Sequence, residues 1–175
     1  MKNTKFNGFT LIELMITLAI LAIILMGMVS MGRSYVINSK VRTISEELRD
    51  SFLYARSEAI KRNTLINVAV GTNGSWSVTT PFDGNKEIQS STTNSANVSV
   101  TGLDANGVAI ATTSFTGSGR PSVGVIQTFD ITPKAPATCR IGNVGDVTCL
   151  RVIVSTGGQV KICNPNATNT VYGCV

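Results

Sequence analysis

The sequence predicts an α+β fold in which one long N-terminal helix packs against an antiparallel β-sheet head. The first observation is a proline-free stretch from Phe9 to Arg62, whose apolar residues recur with helical spacing. The second is a change of composition after Arg62, where short β-type segments alternate with glycine, asparagine and serine. The third is that all four cysteines lie after residue 138, which is typical of a disulfide-bonded C-terminal region.

Composition excludes several classes of enzyme. The chain has 175 residues and no histidine, which removes His-dependent catalytic triads and most zinc sites. Charged residues make up 14% of the chain and the net charge is +5, a surplus that allows an anionic partner without requiring one. No activated nucleophile, metal-ligand spacing or cofactor motif is visible. We therefore expect a protein that is not an enzyme and that holds neither a metal nor a cofactor.

The first 30 residues have the pattern of a short leader followed by a membrane anchor. Residues 1–8 are polar and basic, with Lys2 and Lys5, and the apolar run from Phe9 to Val29 is 21 residues long. Such a run can cross a hydrocarbon core of about 30 Å as a helix. Lysines before it favour a cytoplasmic N-terminus, so everything after Ser30 is expected outside. We predict a leader at 1–8 and a transmembrane helix at 9–30.

Glu13 is an exception within this apolar run. A carboxylate inside a membrane helix costs about 2.5 kcal/mol or more unless it has a partner, so a function is expected for it. The alternative is that Glu13 lies near enough to the membrane interface to stay hydrated.

The segment Gly8-Phe9-Thr10-Leu11-Ile12-Glu13 resembles the class III leader of type IV pilins and type II secretion pseudopilins. The resemblance implies that a prepilin peptidase cleaves between Gly8 and Phe9 and methylates the new amino group of Phe9. It also implies that Glu13 faces the amino terminus of a neighbouring subunit, an arrangement in which a buried carboxylate becomes tolerable. The rival is a conventional secretory signal cleaved near Ser30-Met31-Gly32. That rival leaves Glu13 without a function.

Residues 31–62 are expected to continue the helix as an amphipathic segment. One apolar stripe recurs at spacings of three and four, and Glu58 and Arg62 form a favourable i,i+4 pair on another face. The stripe comprises Ile37, Val41, Ile44, Leu48, Phe52, Ala55 and Ala59.

Residues 63–175 are expected to form the β-rich head. The segment Asp83–Asn97 is polar and is predicted to be a mobile loop, while Asn73-Gly74 favours a tight turn between the first two strands. Strands are predicted at 65–70, 75–79, 97–101, 108–115, 125–131, 150–154 and 159–163.

The cysteines Cys139, Cys149, Cys163 and Cys174 are read as two disulfides, because no C-x-x-C spacing favours a metal cluster. Three connectivities are open. The sequential one, Cys139–Cys149 and Cys163–Cys174, is preferred because each pair encloses a short loop. Each bridge would contribute about 2–4 kcal/mol to a loop-rich region.

Three further segments extend the resemblance to the minor pilins FimU and FimT and the minor pseudopilin GspH: Phe52–Ile60, Phe115–Pro121 and Arg151–Cys163. The resemblance implies a minor pilin that primes assembly of a type IV pilus and is incorporated near its tip, supporting motility, adhesion or DNA uptake. The implied partners are other minor pilins, the major pilin, the prepilin peptidase, the inner-membrane assembly platform and membrane lipid. The implied location is the inner membrane of a Gram-negative bacterium, with the head in the periplasm, and then the extracellular fibre.

Two alternatives remain within the family. A type II secretion pseudopilin has the same leader. A FimT-like pilin binds DNA through a Gly-Arg-x-Arg stretch, but the matching residues here are Gly158-Gln159-Val160-Lys161, which lack the bidentate arginines and weaken the DNA hypothesis. The candidate DNA contacts are Lys161, Arg120, Arg140, Arg151 and Lys134.

Overall fold

The computed structural model describes residues 9–92, 95–167 and 173–174, without the side chains of residues 26–31. One helix, α1 (Leu11–Arg62), spans the predicted stretch. It begins after Thr10, whose hydroxyl accepts a hydrogen bond from the Glu13 amide at 3.4 Å. It ends at Asn63, which adopts a left-handed conformation at φ 50°, as helix C-termini commonly do. The prediction of one continuous helix is confirmed.

The head contains two antiparallel sheets. The first sheet has the order β3-β2-β1-β6, and the second has the order β5-β4-β7-β8-β9. The strands are β1 (Ile66–Val70), β2 (Trp76–Thr80), β3 (Lys86–Ser91), β4 (Val98–Asp104), β5 (Ala109–Ile110), β6 (Thr112–Phe115), β7 (Gln127–Pro133), β8 (Leu150–Val154) and β9 (Val160–Cys163), with one 3₁₀ turn at Pro81–Asp83. The α+β prediction, with a helix against antiparallel strands, is confirmed.

Two predicted segments differ from the structure. The expected loop Asp83–Asn97 contains β3, which pairs with β2 in a register that places Trp76 opposite Ser91. This strand lies at a sheet edge and is mostly exposed, so it lacks the apolar alternation that identifies a half-buried strand. The expected strand at 108–115 is two short strands in different sheets. The chain changes sheets at Ala111, whose carbonyl accepts a hydrogen bond from the Val70 amide at 2.8 Å.

The core lies between the helix and both sheets. All seven residues of the predicted apolar stripe are buried, with Ile37 the most exposed at 3%. Phe52 lies at the centre, with its ring centroid 5.0 Å from that of Phe129 in the second sheet and 6.4 Å from that of Phe115 in the first. Helical periodicity therefore identified the packed face of the helix correctly.

The head has two ends along the helix axis. We call the end near Ile37 and Asn38 the proximal end, and the end near Arg62 the distal end. The β7–β8 connection lies at the proximal end, because the Asn38 carboxamide accepts a hydrogen bond from the Thr148 amide at 2.8 Å and donates one to the Asp146 carbonyl at 3.3 Å. The β8–β9 turn lies at the distal end, where Gly158 is next to Arg56.

In the part of the chain that is described, no helix combines the length and the apolarity that a membrane crossing requires. The span at 9–30 therefore stays a prediction of the sequence.

Candidate assembly helix and head surface

The described side chains in the N-terminal half of α1 are not packed against the head. Every described side chain from Phe9 to Leu25 is exposed, and the buried stripe begins only at Ile37. The exposed residues are mostly large and apolar, with Leu11 at 78% and Ile23 at 72%. A helix that is apolar on all sides requires other helices or lipid around it. This half of α1 is therefore the main candidate surface for intermolecular packing.

The candidate processing and assembly residues lie at the start of this helix. Gly8 lies outside the described residues, and Phe9 is the first described residue, with 82% of its surface exposed. Glu13 occupies the first turn, where the positive end of the helix dipole favours a carboxylate. Glu13 lies four positions after Phe9 in the chain. Among the described residues, no cation forms an ion pair with Glu13.

The structure has the sequential disulfide pairing. Cys139 is bonded to Cys149 with a Cα–Cα distance of 5.4 Å, and Cys163 to Cys174 with 5.1 Å. The first bridge closes the β7–β8 connection at the proximal end. The second ties the C-terminal segment to β9, an edge strand of the second sheet. The first bridge therefore holds a segment of the head that has little regular secondary structure.

Arg151 is held by a carboxylate on the neighbouring strand. Its Nε and Nη2 atoms donate hydrogen bonds to Asp130 at 2.5 and 2.8 Å, in the register that places the two residues opposite each other. These hydrogen bonds raise the pKa of Arg151 above its usual value, because they stabilise the charged guanidinium. The charge of Arg151 is thus matched within the head.

The other four candidate DNA contacts lie at different places. Lys134 and Arg140 are exposed in the proximal β7–β8 connection, where Arg140 donates to the carbonyls of Gly145 and Asp146 at 3.4 and 3.5 Å. Arg120 is exposed in the distal loop after β6, and Lys161 is exposed on β9 opposite Ile153. The five cations do not form one basic surface. Within the described ranges, no group of acidic or cysteine side chains could hold a metal ion.

Two of the segments quoted for the resemblance meet at Arg56, a residue that sequence reasoning did not single out. The turn Thr116–Arg120 and the turn Ser155–Gln159 both pack on the helix there. A Cβ atom on Gly158 would lie 2.2 Å from the Gly119 carbonyl oxygen, and one on Gly119 would lie 3.3 Å from Arg56 Nε. Arg56 Nε is buried and has no hydrogen-bond partner among the described residues. The glycine in each turn was the sequence signal for this close approach.

Asn38 is a second residue that the sequence analysis missed. It lies beside Ile37 on α1 and connects the helix to the Cys139–Cys149 loop through the two hydrogen bonds described above. Its side chain also donates to the Ser34 carbonyl at 3.0 Å. A polar residue at the edge of an apolar stripe was the available signal, but its partners are 108 and 110 residues away in sequence.

Comparison with known proteins identifies relatives of this chain. A family model described as Type II transport protein GspH matches residues 45–170, and a model of the prokaryotic N-terminal methylation motif matches residues 3–29. No curated protein sequence matches the chain.

Solved structures share the fold. The type IV minor pilin FimU of Pseudomonas aeruginosa is 17% identical, with a TM-score of 0.55 over 81% of this chain and 99% of FimU. The minor pseudopilin EpsH of Vibrio cholerae is 13% identical, with a TM-score of 0.56 over 74% of this chain and 99% of EpsH. The chain therefore belongs to the GspH family of pilin-like proteins and carries the N-terminal methylation motif at its amino-terminal end.

Proposed function

We propose that this protein is a minor pilin that primes assembly of a type IV pilus and is incorporated into it near the tip. The observation that carries the proposal is the segment from Phe9 to Leu25, which exposes apolar residues on every side and lies within the matched N-terminal methylation motif. In a filament, helices of neighbouring subunits would cover this surface. The protein then needs no catalytic residue, because its function is its packing surface.

Processing and membrane insertion would precede assembly. A prepilin peptidase would cleave between Gly8 and Phe9 and methylate Phe9, while the apolar helix anchors the subunit in the inner membrane with the head in the periplasm. Glu13 supports this sequence of events. Its carboxylate has no ion-pair partner among the described residues, and the ammonium group of Phe9 on an adjacent subunit would supply the compensating charge in a low-dielectric environment.

The test replaces Glu13 in the full-length protein in its native host. Glu13→Ala is expected to reduce the amount of the protein in sheared pili and the number of surface pili, because the apolar helix would lose its charge-pairing contact. Glu46→Ala is the matched control, since Glu46 is an exposed carboxylate on the same helix that pairs with exposed Arg42. Mass spectrometry of the purified protein should show a chain that begins with N-methylated Phe9.

Normal piliation and normal incorporation of the Glu13→Ala variant would contradict the proposed contact. A mature chain that begins elsewhere than at Phe9 would contradict the proposed processing, and with it the filament assignment.

A type II secretion pseudopilin is the second candidate, which the description of the matching family favours. The fold supports both candidates equally, since the TM-scores to FimU and EpsH are 0.55 and 0.56. In vivo crosslinking of the membrane form separates them. Crosslinks to pilus subunits support the first candidate, whereas crosslinks to pseudopilins together with a secretion defect in the deletion strain support the second.

A further inference from the structure

The proximal β7–β8 connection, residues 134–149, carries two apolar side chains at an exposed turn. We call this segment the proximal loop. Ile141 is 67% exposed and Val144 is 77% exposed. Their backbones are joined by two hydrogen bonds, from the Ile141 amide to the Val144 carbonyl at 2.7 Å and in the reverse direction at 3.1 Å. The turn is thus ordered, and its apolar side chains point away from the core.

The base of the proximal loop is fixed to the head. The disulfide Cys139–Cys149 closes the loop, Asn38 bonds to it from the helix, and Val147 is fully buried. Because the base is anchored in this way, the tip cannot fold back to bury Ile141 and Val144 without breaking these contacts. The two neighbouring apolar side chains are therefore held in an exposed position, where they are available for an intermolecular contact.

Basic side chains lie in this loop and on the part of the helix that holds it. Arg140 precedes Ile141 and donates its hydrogen bonds to backbone carbonyls, which do not neutralise a guanidinium. Arg33 and Lys40 are exposed on the helix turns on either side of Asn38. Within the proximal loop Asp146 is the single acidic residue. Tyr35, which is 77% exposed on the same part of the helix, adds an aromatic side chain of the kind that is enriched at membrane interfaces.

The loop lies within reach of the membrane that the proposed anchor would occupy. Asn38 follows Ser30, the end of the predicted span, by eight residues, which corresponds to about 12 Å of helix. The headgroup region extends about 5–7 Å beyond the hydrocarbon core. Ile141 lies two residues beyond the disulfide, which allows up to about 7 Å of further reach. With the tip extended along the helix toward its N-terminus, these lengths bring it within reach of the lipid headgroups.

We infer that the proximal loop rests on the anionic headgroups of the membrane before the subunit enters a filament, with Ile141 and Val144 inserted between them. The inference rests on the proposed function, because it requires the N-terminal helix to span that membrane. Apolar insertion combined with basic side chains is the usual basis of such contacts. The contact would orient the head on its anchor.

The experiment uses the full-length chain in vesicles of phosphatidylcholine and phosphatidylglycerol with brominated acyl chains, which quench tryptophan fluorescence at short range. Val144→Trp reports on the loop tip. Phe82→Trp is the matched control, since Phe82 is 91% exposed but lies in the distal 3₁₀ turn. Leu21→Trp reports on the anchor. Trp76 is buried and common to all variants, so the parent chain supplies the background signal.

We expect strong quenching of Val144→Trp and no added quenching of Phe82→Trp. The quenching of Val144→Trp should weaken when phosphatidylcholine replaces phosphatidylglycerol. If Leu21→Trp is quenched while Val144→Trp behaves like Phe82→Trp, the lipid contact is overturned and the anchor stands. If Leu21→Trp is not quenched, the anchor fails and the inference fails with it. A Val144→Trp emission that changes only when other pilins are added would assign the loop to a subunit interface and also overturn the lipid contact.

Discussion

Arg151 on β8 and Asp130 on β7 form a two-pronged ion pair across neighbouring strands, with N···O distances of 2.5 and 2.8 Å. Their side chains are 32% and 23% exposed, so water screens the pair only in part. The geometry is the parallel arrangement in which arginine binds a carboxylate best. It links the central strand β7 of the second sheet to its neighbour β8 on the face opposite the helix, and it engages one of the five cations that the sequence suggested for DNA.

Removal of this guanidinium should destabilise the head. Arg151→Met keeps much of the side-chain stem but leaves Asp130 without its partner, so a loss of about 1–2 kcal/mol in the free energy of unfolding is expected. Urea denaturation measures it. Arg42→Met is the control, because Arg42 and Glu46 are 77% and 52% exposed and should contribute less than about 0.5 kcal/mol. Equal losses in the two variants would contradict this assignment.

The stability of the distal end should depend on pH through Glu58. Its carboxylate accepts a hydrogen bond from Arg62 at 2.6 Å and contacts Lys61 at 3.4 Å. The hydrogen bond from Arg62 is the main cause of the lowered pKa of Glu58, while burial acts in the opposite direction. A lowered folded-state pKa contributes stability above the unfolded value, and this contribution disappears as the pH falls through the folded value.

Glu58→Gln is therefore expected to reduce stability by about 0.5–1 kcal/mol near pH 7. The difference from the parent chain should shrink as the pH falls through the lowered folded-state pKa. Urea titrations at several pH values measure this difference. A difference that stays constant down to acidic pH would show that packing, and not charge, explains the effect.

Gly158 and Gly157 should respond differently to the same substitution. Gly158 has φ +78°, and an added Cβ would lie 2.2 Å from the backbone oxygen of Gly119. Gly158→Ala is thus expected to cost about 2–3 kcal/mol and to loosen the turn from the helix at Arg56. Gly157 has no atom within 4 Å of such a Cβ, so Gly157→Ala should change the stability by less than about 1 kcal/mol. Thermal unfolding of both variants tests the contrast, and similar melting temperatures would refute it.

The disulfide Cys139–Cys149 and the side chain of Asn38 should act together. Replacement of both cysteines by serine is expected to cost about 2–4 kcal/mol, because the closed loop restricts the unfolded chain. Asn38→Ala should cost about 1 kcal/mol in the parent chain, where it removes two hydrogen bonds to the loop. In the chain without the bridge its effect should be smaller, because the loop is no longer held against the helix. Additive losses in a double-mutant cycle would show that the two contacts are independent.

The elements that sequence reasoning predicted well depend on local patterns. The helix, its buried stripe from Ile37 to Ala59 and the Glu58–Arg62 pair all follow from spacings of three and four residues. Strands with apolar alternation were found for the same reason. The strand β3 was missed because an exposed edge strand is recognised by its backbone pairing with β2, which no local pattern records.

The candidate site residues also include some that a local motif identified and some whose arrangement depended on the tertiary structure. Gly8, Phe9 and Glu13 stand in one short motif, and the matching family model covers residues 3–29. Lys161 was selected from its match to a Gly-Arg-x-Arg stretch and the other four cations by residue type, and the structure distributes the five over both ends of the head and the outer face of the second sheet. A basic surface depends on which strands are neighbours, so charge counting along the chain could not define one.

The amino-acid sequence by itself determined the anchor-like apolar run and the continuous helix with one packed face, because each depends on residues within a few turns of one another. It also indicated the family, through short motifs that lie along most of the chain. Only the tertiary structure decided that residues 108–115 divide between two sheets, that Arg151 is bound by Asp130, and that two glycine turns meet at Arg56. These features join residues that are far apart in the chain. Their partners are selected by the packing of the whole head.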